Sequence, residues 1–402
     1  MRFALISEHA NPLATLGGAD AGGQNVHVAA LAAGLSRRGH DVTVYTRRDS
    51  TDAPVRVPGP GGYIVEHVAA GPPTDVPKDE LLPFMPDFGD YLRARWRTDP
   101  VDVVHAHFWM SGLAAVRATR DTSTPVLQTF HALGSVKRRQ QGVRDTSPPA
   151  RIALERTLCR TVDHVIATCS DEVQNLRELG LAPDRATVIP CGVDVREFRP
   201  QPVEPHQRPR LLVIGRIVTR KGVGNVIEAL AELPGVDLTI AGGPRADALA
   251  ADPEVDRLRR LAERLGVRDR VRFVGAVARE DVPSLMCAAD VVVTVPWYEP
   301  FGIVPLEAMA CGRPVVGSAV GGLLDTVVPG VTGELVPPRR PDLLAAALRD
   351  LLDDAERRAA YGRAGRRRAV ERYPWSRVTE LTERVYASVA WTRSGSALGA
   401  SR

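Results

Sequence analysis

Two glutamates eight residues apart, Glu299 and Glu307, have the types and spacing to do chemistry. The first lies in the turn Pro296-Trp297-Tyr298-Glu299-Pro300-Phe301-Gly302, and the second inside the helix predicted to follow. A helix N-terminus exposes N–H groups and a partial positive charge, which suits a phosphate. A carboxylate one turn further in can accept hydrogen bonds from two vicinal hydroxyls. A diphosphate beside a ribose, with a sugar on its other side, is the outline of a nucleotide-sugar. By spacing alone the pair also fits a solvated charged face, or the two carboxylates of glycoside hydrolysis. The prolines, Gly302 and the apolar Ile303-Val304 and Ala308-Met309-Ala310 favour a buried turn.

Such a site needs cations. The apolar run Leu211–Ile214 is followed by Gly215-Arg216 and then Lys221-Gly222. Arginine offers a planar fork for phosphate oxygens and lysine a compact point charge; otherwise they are two solvated surface cations. Upstream, Gly17-Gly18-Ala19-Asp20-Ala21-Gly22-Gly23 would let a backbone approach a ligand closely. It lacks the spacing of a dinucleotide fingerprint and otherwise reads as a flexible loop. His131 closes the apolar run Val126–Phe130, where an active-site or a structural histidine would sit. His105 and His107 have no third ligand at metal spacing, which favours packing and hydrogen bonding.

These residues need a frame. A chain of 402 residues is long enough for two domains. With 44% hydrophobic and 25% charged residues it reads as soluble and globular. Aromatics at 5% and a net charge of +4 argue against a nucleic-acid partner and allow an anionic ligand. The basic clusters Arg93–Arg97, Lys137–Arg139 and Arg366–Arg368 read as solvated helix faces, so membrane contact is not favoured. Five scattered cysteines and no signal-like segment point to reduced thiols and the cytoplasm. A homodimer is left open.

Apolar runs alternate with helical stretches. Strands are predicted at Arg2–Ser7, Val42–Thr46, Ile64–Val68, Val101–His105, Val126–Phe130 and His164–Thr168. Helices fall at Gln24–Arg38, Asp79–Trp96, Ser111–Arg120 and Pro149–Thr161. After the proline-rich Pro200–Pro209 the pattern restarts, with strands at Leu211–Ile214, Leu238–Ala241, Val271–Val274, Val291–Val295 and Val315–Gly317. Continuous apolar strands joined by helices make parallel sheets covered on both faces. The expected fold class is α/β: two doubly wound Rossmann-like domains facing a cleft, 1–200 and 208–372. Helix 376–391 is expected to pack back on the first domain, and 392–402 to be a disordered tail.

Glu299–Glu307, the Gly215-Arg216…Lys221-Gly222 pair and the glycine-rich first loop together resemble the retaining GT-B glycosyltransferases of family four, from Met1 to about Tyr386. Ile6 to Leu13 and Gly18 to Val26 are similar to the group holding the mycothiol-type inositol-phosphate N-acetylglucosaminyltransferases and the sucrose-phosphate synthases. The resemblance implies that Arg216 and Lys221 hold a donor diphosphate, Glu307 the ribose hydroxyls and Glu299 the donor sugar. It implies backbone contacts from Phe301, Gly302, Ile303 and Val304, a base contact at Val277 and a phosphate contact at Gly23. His131 would position the donor sugar. On the acceptor side it implies His9, Asp20, Asn25, Lys78 and Arg151, with Phe108 where the mycothiol enzyme has Tyr and Ala132 where it has Thr. Those two departures remove hydroxyls and argue for a related polyol, sugar or sugar-phosphate acceptor. The implied reaction is metal-independent sugar transfer with retention, from a UDP-, GDP- or ADP-sugar that is a substrate, so no cofactor is required. A nucleotide-sugar 2-epimerase and an inactive nucleotide-sugar-binding or membrane-associated protein are the alternatives.

Overall fold

The computed structural model describes residues 1–14 and 22–399, with 394–399 by backbone alone. The chain forms two units: Met1–Pro190 with Trp375–Arg402, and Cys191–Pro374.

The first unit is built on eight strands: β1 Arg2–Ile6, β2 Asp41–Arg47, β3 Arg56–Pro58, β4 Ile64–Val68, β5 Val103–His107, β6 Val126–Thr129, β7 His164–Ala167 and β8 Ala186–Val188. Their order is β3-β4-β2-β1-β5-β6-β7-β8, and only the β3–β4 pair is antiparallel. Helices α1 Gly23–Arg37, α2 Met85–Thr98, α3 Trp109–Thr119, α4 Gly134–Gln141, α5 Arg151–Thr161 and α6 Ser170–Glu178 connect the strands. Side chains alternate across a strand. Phe3 and Leu5 of β1 therefore join one core with Val28, Leu31, Val44 and Tyr386, and Ala4 and Ile6 join another with Phe88, Leu92 and Trp109.

The second unit holds β9 Arg210–Ile214, β10 Asp237–Ala241, β11 Val271–Gly275, β12 Val291–Thr294, β13 Val315–Ser318 and β14 Gly333–Val336, in the order β11-β10-β9-β12-β13-β14, with all pairs parallel. Its helices are α7 Val223–Ala231, α8 Pro253–Arg264, α9 Val282–Cys287, α10 Ile303–Ala310, α11 Leu323–Thr326, α12 Pro341–Asp353 and α13 Ala355–Arg372. The last helix, α14 Trp375–Gly399, belongs to the first unit and packs on α1. Gly34 makes that contact close: a Cβ there would lie 2.2 Å from Thr379 Oγ1.

Three expectations need correction. Residues 191–209 belong to the second unit, so neither 200 nor the proline-rich run is the boundary. Phe198 is fully buried in that unit's core, and Arg366 donates to the carbonyls of Val195 and Phe198. The tail from 392 is not irregular: α14 runs on to Gly399, since Thr392 to Leu398 hold no proline or internal break beyond Gly395. Residues 400–402 lie outside the described residues. The Arg366–Arg368 cluster is not a simple solvated face either, because Arg368 donates to the carbonyls of Asp325 and Thr326.

In each sheet the chain winds outward from a central strand, then returns to its other side. The reversal falls between β1 and β5 in one sheet and between β9 and β12 in the other. Open α/β sheets bind ligands beyond the carboxyl ends of the strands at such points.

Candidate functional site

At the reversal point of the second unit the loops are shaped by glycines. After β9, Lys221 ends a short 3-10 turn and Gly222 takes a left-handed conformation, φ +73°. A Cβ on Gly222 would lie 2.1 Å from the Val295 carbonyl oxygen, so only glycine lets this loop lie against the end of β12. Trp297 N–H donates to the Arg220 carbonyl at 2.9 Å and ties the two loops together. The result is an ion pair between Lys221 Nζ and Glu299 Oε2. Burial pushes the Glu299 carboxyl up, but Lys221, Arg220 and the Phe301 N–H outweigh it and hold it below the usual range.

The turn from Trp297 to Phe301 is half-buried rather than buried. Gly321 and Gly322 support it from behind, with Gly322 N–H donating to the Glu299 carbonyl at 2.8 Å. Gly302, at φ +68°, then opens α10, whose first turn has no side-chain cap. The N–H groups at Ile303 and Val304 are thereby available to an anion. Arg216 follows β9 at the same sheet end and is exposed.

Glu307 lies on α10 and is 4% exposed. Arg279 Nη1 donates to its Oε1 at 2.5 Å, while Arg279 Nε meets Glu197 Oε1 at 3.1 Å. Burial raises the Glu307 carboxyl above its ordinary range; Arg279 opposes that shift and Glu197 adds to it. Val277, half-buried, lies two residues before Arg279 in the loop after β11. Neither Arg279 nor Glu197 was anticipated. The only sequence signal is that Arg279 follows a strand end.

At the reversal point of the first unit the site is made of side chains. His9 follows β1, and its Nδ1 lies 2.7 Å from Oε1 of the buried Glu8. Ser111 on α3 donates its hydroxyl to Glu8 Oε2 and receives the Glu8 N–H at 3.1 Å. The Phe108 ring packs edge-on against His9 at 4.8 Å, below Arg151 at 5.0 Å and Lys78 at 5.9 Å. Phe108 itself has φ +81°, a strained conformation for a non-glycine residue.

Arg151 is 3% exposed and already engaged: Nε to Glu155 Oε1 at 2.8 Å, Nη1 to Ser147 Oγ at 3.1 Å and Nη2 to the Ala132 carbonyl at 2.6 Å. Both Glu155 oxygens also accept the Gly134 N–H. Asn25 uses its amide within the fold, accepting the Gly22 N–H and donating to the Asn11 carbonyl. Gly23 is the first residue of α1. Asp20 lies outside the described residues.

His131 is fully buried at φ +61°, with Nε2 2.9 Å from His107 Nδ1. His105 bonds Thr129 Oγ1 at 2.9 Å and Tyr386 OH at 2.6 Å. The Thr129 hydroxyl donates to the Ile166 carbonyl, so it must accept from His105 Nε2, and Tyr386 must donate to Nδ1. With His27 these rings form a buried neutral cluster; burial drives His27 down to about 4 and His105 to about 3. His105 and His107 thus pack and hydrogen-bond. Among the described residues no group of three or more His, Cys, Asp or Glu is arranged to hold a metal, and no helix is long and apolar enough to cross a membrane.

The sequence matches two family models: Glycosyltransferase Family 4 over residues 21–197 and Glycosyl transferases group 1 over 194–368. It is 36% identical to D-inositol 3-phosphate glycosyltransferase of Kineococcus radiotolerans, over 98% of this chain and 96% of that one. To the enzyme of that name from Mycolicibacterium smegmatis it is 37% identical, over 94% and 89%. The structure of sucrose-phosphate synthase from Thermosynechococcus elongatus superposes with a TM-score of 0.88 at 31% identity, covering 96% of this chain and 98% of that one.

Proposed function

The chain belongs to the family-4 glycosyltransferases with the GT-B fold, and from that premise we propose that it moves a sugar from a nucleoside diphosphate to a hydroxyl of a small polyol, sugar or sugar phosphate, with retention at the anomeric carbon. The observation that carries this reading is the Lys221–Glu299 pair beside the uncapped N-terminus of α10.

Lys221, Arg216 and the N–H groups of Ile303 and Val304 face the diphosphate, with further backbone contact from Phe301, Gly302 and Gly23. Glu307 takes the ribose hydroxyls and the Val277 backbone the base. Glu299, ionised and tied to Lys221, accepts hydrogen bonds from the donor sugar. His131, neutral at pH 7, positions that sugar. The bond from the anomeric carbon to the diphosphate breaks while the acceptor oxygen bonds to the same face, and a departing phosphate oxygen takes the acceptor proton. Charge grows on the diphosphate, where fixed cations and dipoles stabilise it.

His9, Asn25, Lys78, Arg151 and Asp20 form the acceptor half. Phe108 and Ala132 offer no hydroxyl there, which favours an acceptor other than inositol 3-phosphate. A missing hydrogen bond of this kind costs about 0.5–1.5 kcal/mol, more against a charged group.

The test is turnover with UDP-, GDP- and ADP-sugars against inositol 3-phosphate, free hexoses and hexose phosphates, with the product anomer read by NMR. Nucleoside diphosphate release that requires an acceptor and yields the donor's anomer is expected. Conversion of donor alone to its 2-epimer would overturn the transfer reading. Activity is expected to survive EDTA, and its loss with restoration by manganese would overturn the metal-free mechanism.

A further inference from the structure

Glu307 poses a physical question. A carboxylate 4% exposed on a helix of mean apolar character costs free energy that Leu or Gln would not. The feature that compensates it is Arg279. The guanidinium is held at three places: Nη1 on Glu307 Oε1, Nε on Glu197 Oε1, and its Cζ over the ring of the buried Phe198, 4.4 Å from the centroid. An exposed ion pair would be worth little, but here one partner is buried and the hydrogen bond is charge-assisted.

The contact is also one-pointed. A bidentate arginine would cover both carboxylate oxygens. Arg279 gives Glu307 one N–H, and among the described residues Glu307 Oε2 carries no hydrogen bond. The carboxyl is fixed through Oε1 while Oε2 keeps acceptor capacity.

We propose that Arg279 is a positioning residue of the nucleotide pocket: it orients the Glu307 carboxylate to receive the ribose hydroxyls, while Glu197 holds the same guanidinium through Nε and sets a like charge beside Glu307. This rests on the reading of Glu307 as the ribose acceptor. Of the charged groups near α10, Arg279 and Glu197 act on the Glu307 carboxyl. Arg366 on α13 is turned to the carbonyls of Val195, Phe198 and Ala310, Arg368 covers the Asp325 carbonyl of α11, and the Cys287 and Cys311 thiols lie at the far end of the helix. Hydroxyl donors need an ionised Glu307. Burial and Glu197 raise its carboxyl, and Arg279 lowers it, so losing Arg279 moves the acid limit of nucleotide binding to higher pH, and losing Glu197 moves it lower.

The experiment is calorimetric binding of UDP, GDP and ADP, and of their 2′-deoxy forms, to the full chain from pH 5 to 8. Arg279→Ala should weaken the preferred nucleotide by about ten- to a hundredfold. It should also erase the preference for ribose over deoxyribose and shift the acid limb up, and Arg279→Lys should restore part of each. Glu197→Gln should shift the limb down. Unchanged sugar discrimination and an unchanged limb in Arg279→Ala would overturn the proposal; should that variant not fold, an unmoved limb in Glu197→Gln does so. If Glu307→Ala binds the nucleotide as tightly as the unaltered chain, the ribose reading itself fails.

Discussion

The reversal points of the two sheets occupy equivalent places in similar topologies and are built from different materials. In the second unit, Gly222, Gly302, Gly321 and Gly322 bring backbones within contact distance, and the charges sit on a frame of N–H and carbonyl groups. In the first unit, polar side chains hold one another: Glu8 with His9 and Ser111, Arg151 with Glu155 and Ser147, His107 with His131. Backbone frames suit a ligand part shared by many enzymes, such as a diphosphate. Side-chain frames can change one residue at a time, which suits the part of the reaction that differs between relatives.

That contrast can be broken by mutation. Arg151→Met leaves the buried Glu155 without its counter-charge, so the first unit should lose about 3–5 kcal/mol in urea unfolding. A loss of acceptor affinity with full stability would show that Arg151 serves ligand rather than frame. Lys221→Ala, by contrast, should leave the fold intact and cut kcat by about 10²–10³-fold; near-normal turnover would remove Lys221 from the donor site.

Acid should also separate the units. His27 and His105 are buried neutral, so the unfolded chain binds more protons than the folded one between their folded values and about 6.5. Their stability contribution is complete above pH 6.5 and is lost as pH falls toward 4, about 3 kcal/mol for His27. Hydrogen exchange at pH 5 should therefore rise in β5 and β6 before β9 and β12; equal protection would refute the asymmetry. The smallest effect is expected from Phe108→Tyr with Ala132→Thr, which should improve turnover of inositol 3-phosphate by about tenfold. No gain would place acceptor choice elsewhere.

The sequence discloses the strands that run through both cores, because they are continuous apolar runs. The short edge strands β3, β8 and β14 escaped, since Arg56-Val57-Pro58 and Ala186-Thr187-Val188 are three residues long and Gly333 opens the last. The helix carrying Glu307 and the glycine turns at Gly222 and Gly302 were legible for a related reason: local conformation is written locally. Arg279, Glu8 and Glu155 were not, because a side chain's partner depends on which strand ends adjoin. Glu155 looks like one more charge on α5 until the fold sets it under Gly134.

The chain leaves the first unit at Pro190 and returns to it at Trp375. Val193 N–H donates to the Tyr373 carbonyl at 2.8 Å, so the outgoing and returning segments are stitched side by side. The second unit is therefore an insertion between two parts of the first. During synthesis it can be completed from one continuous stretch, whereas the first unit waits for α14, whose Tyr386 reaches His105 in the middle of its core. The part of the chain made first is the part finished last.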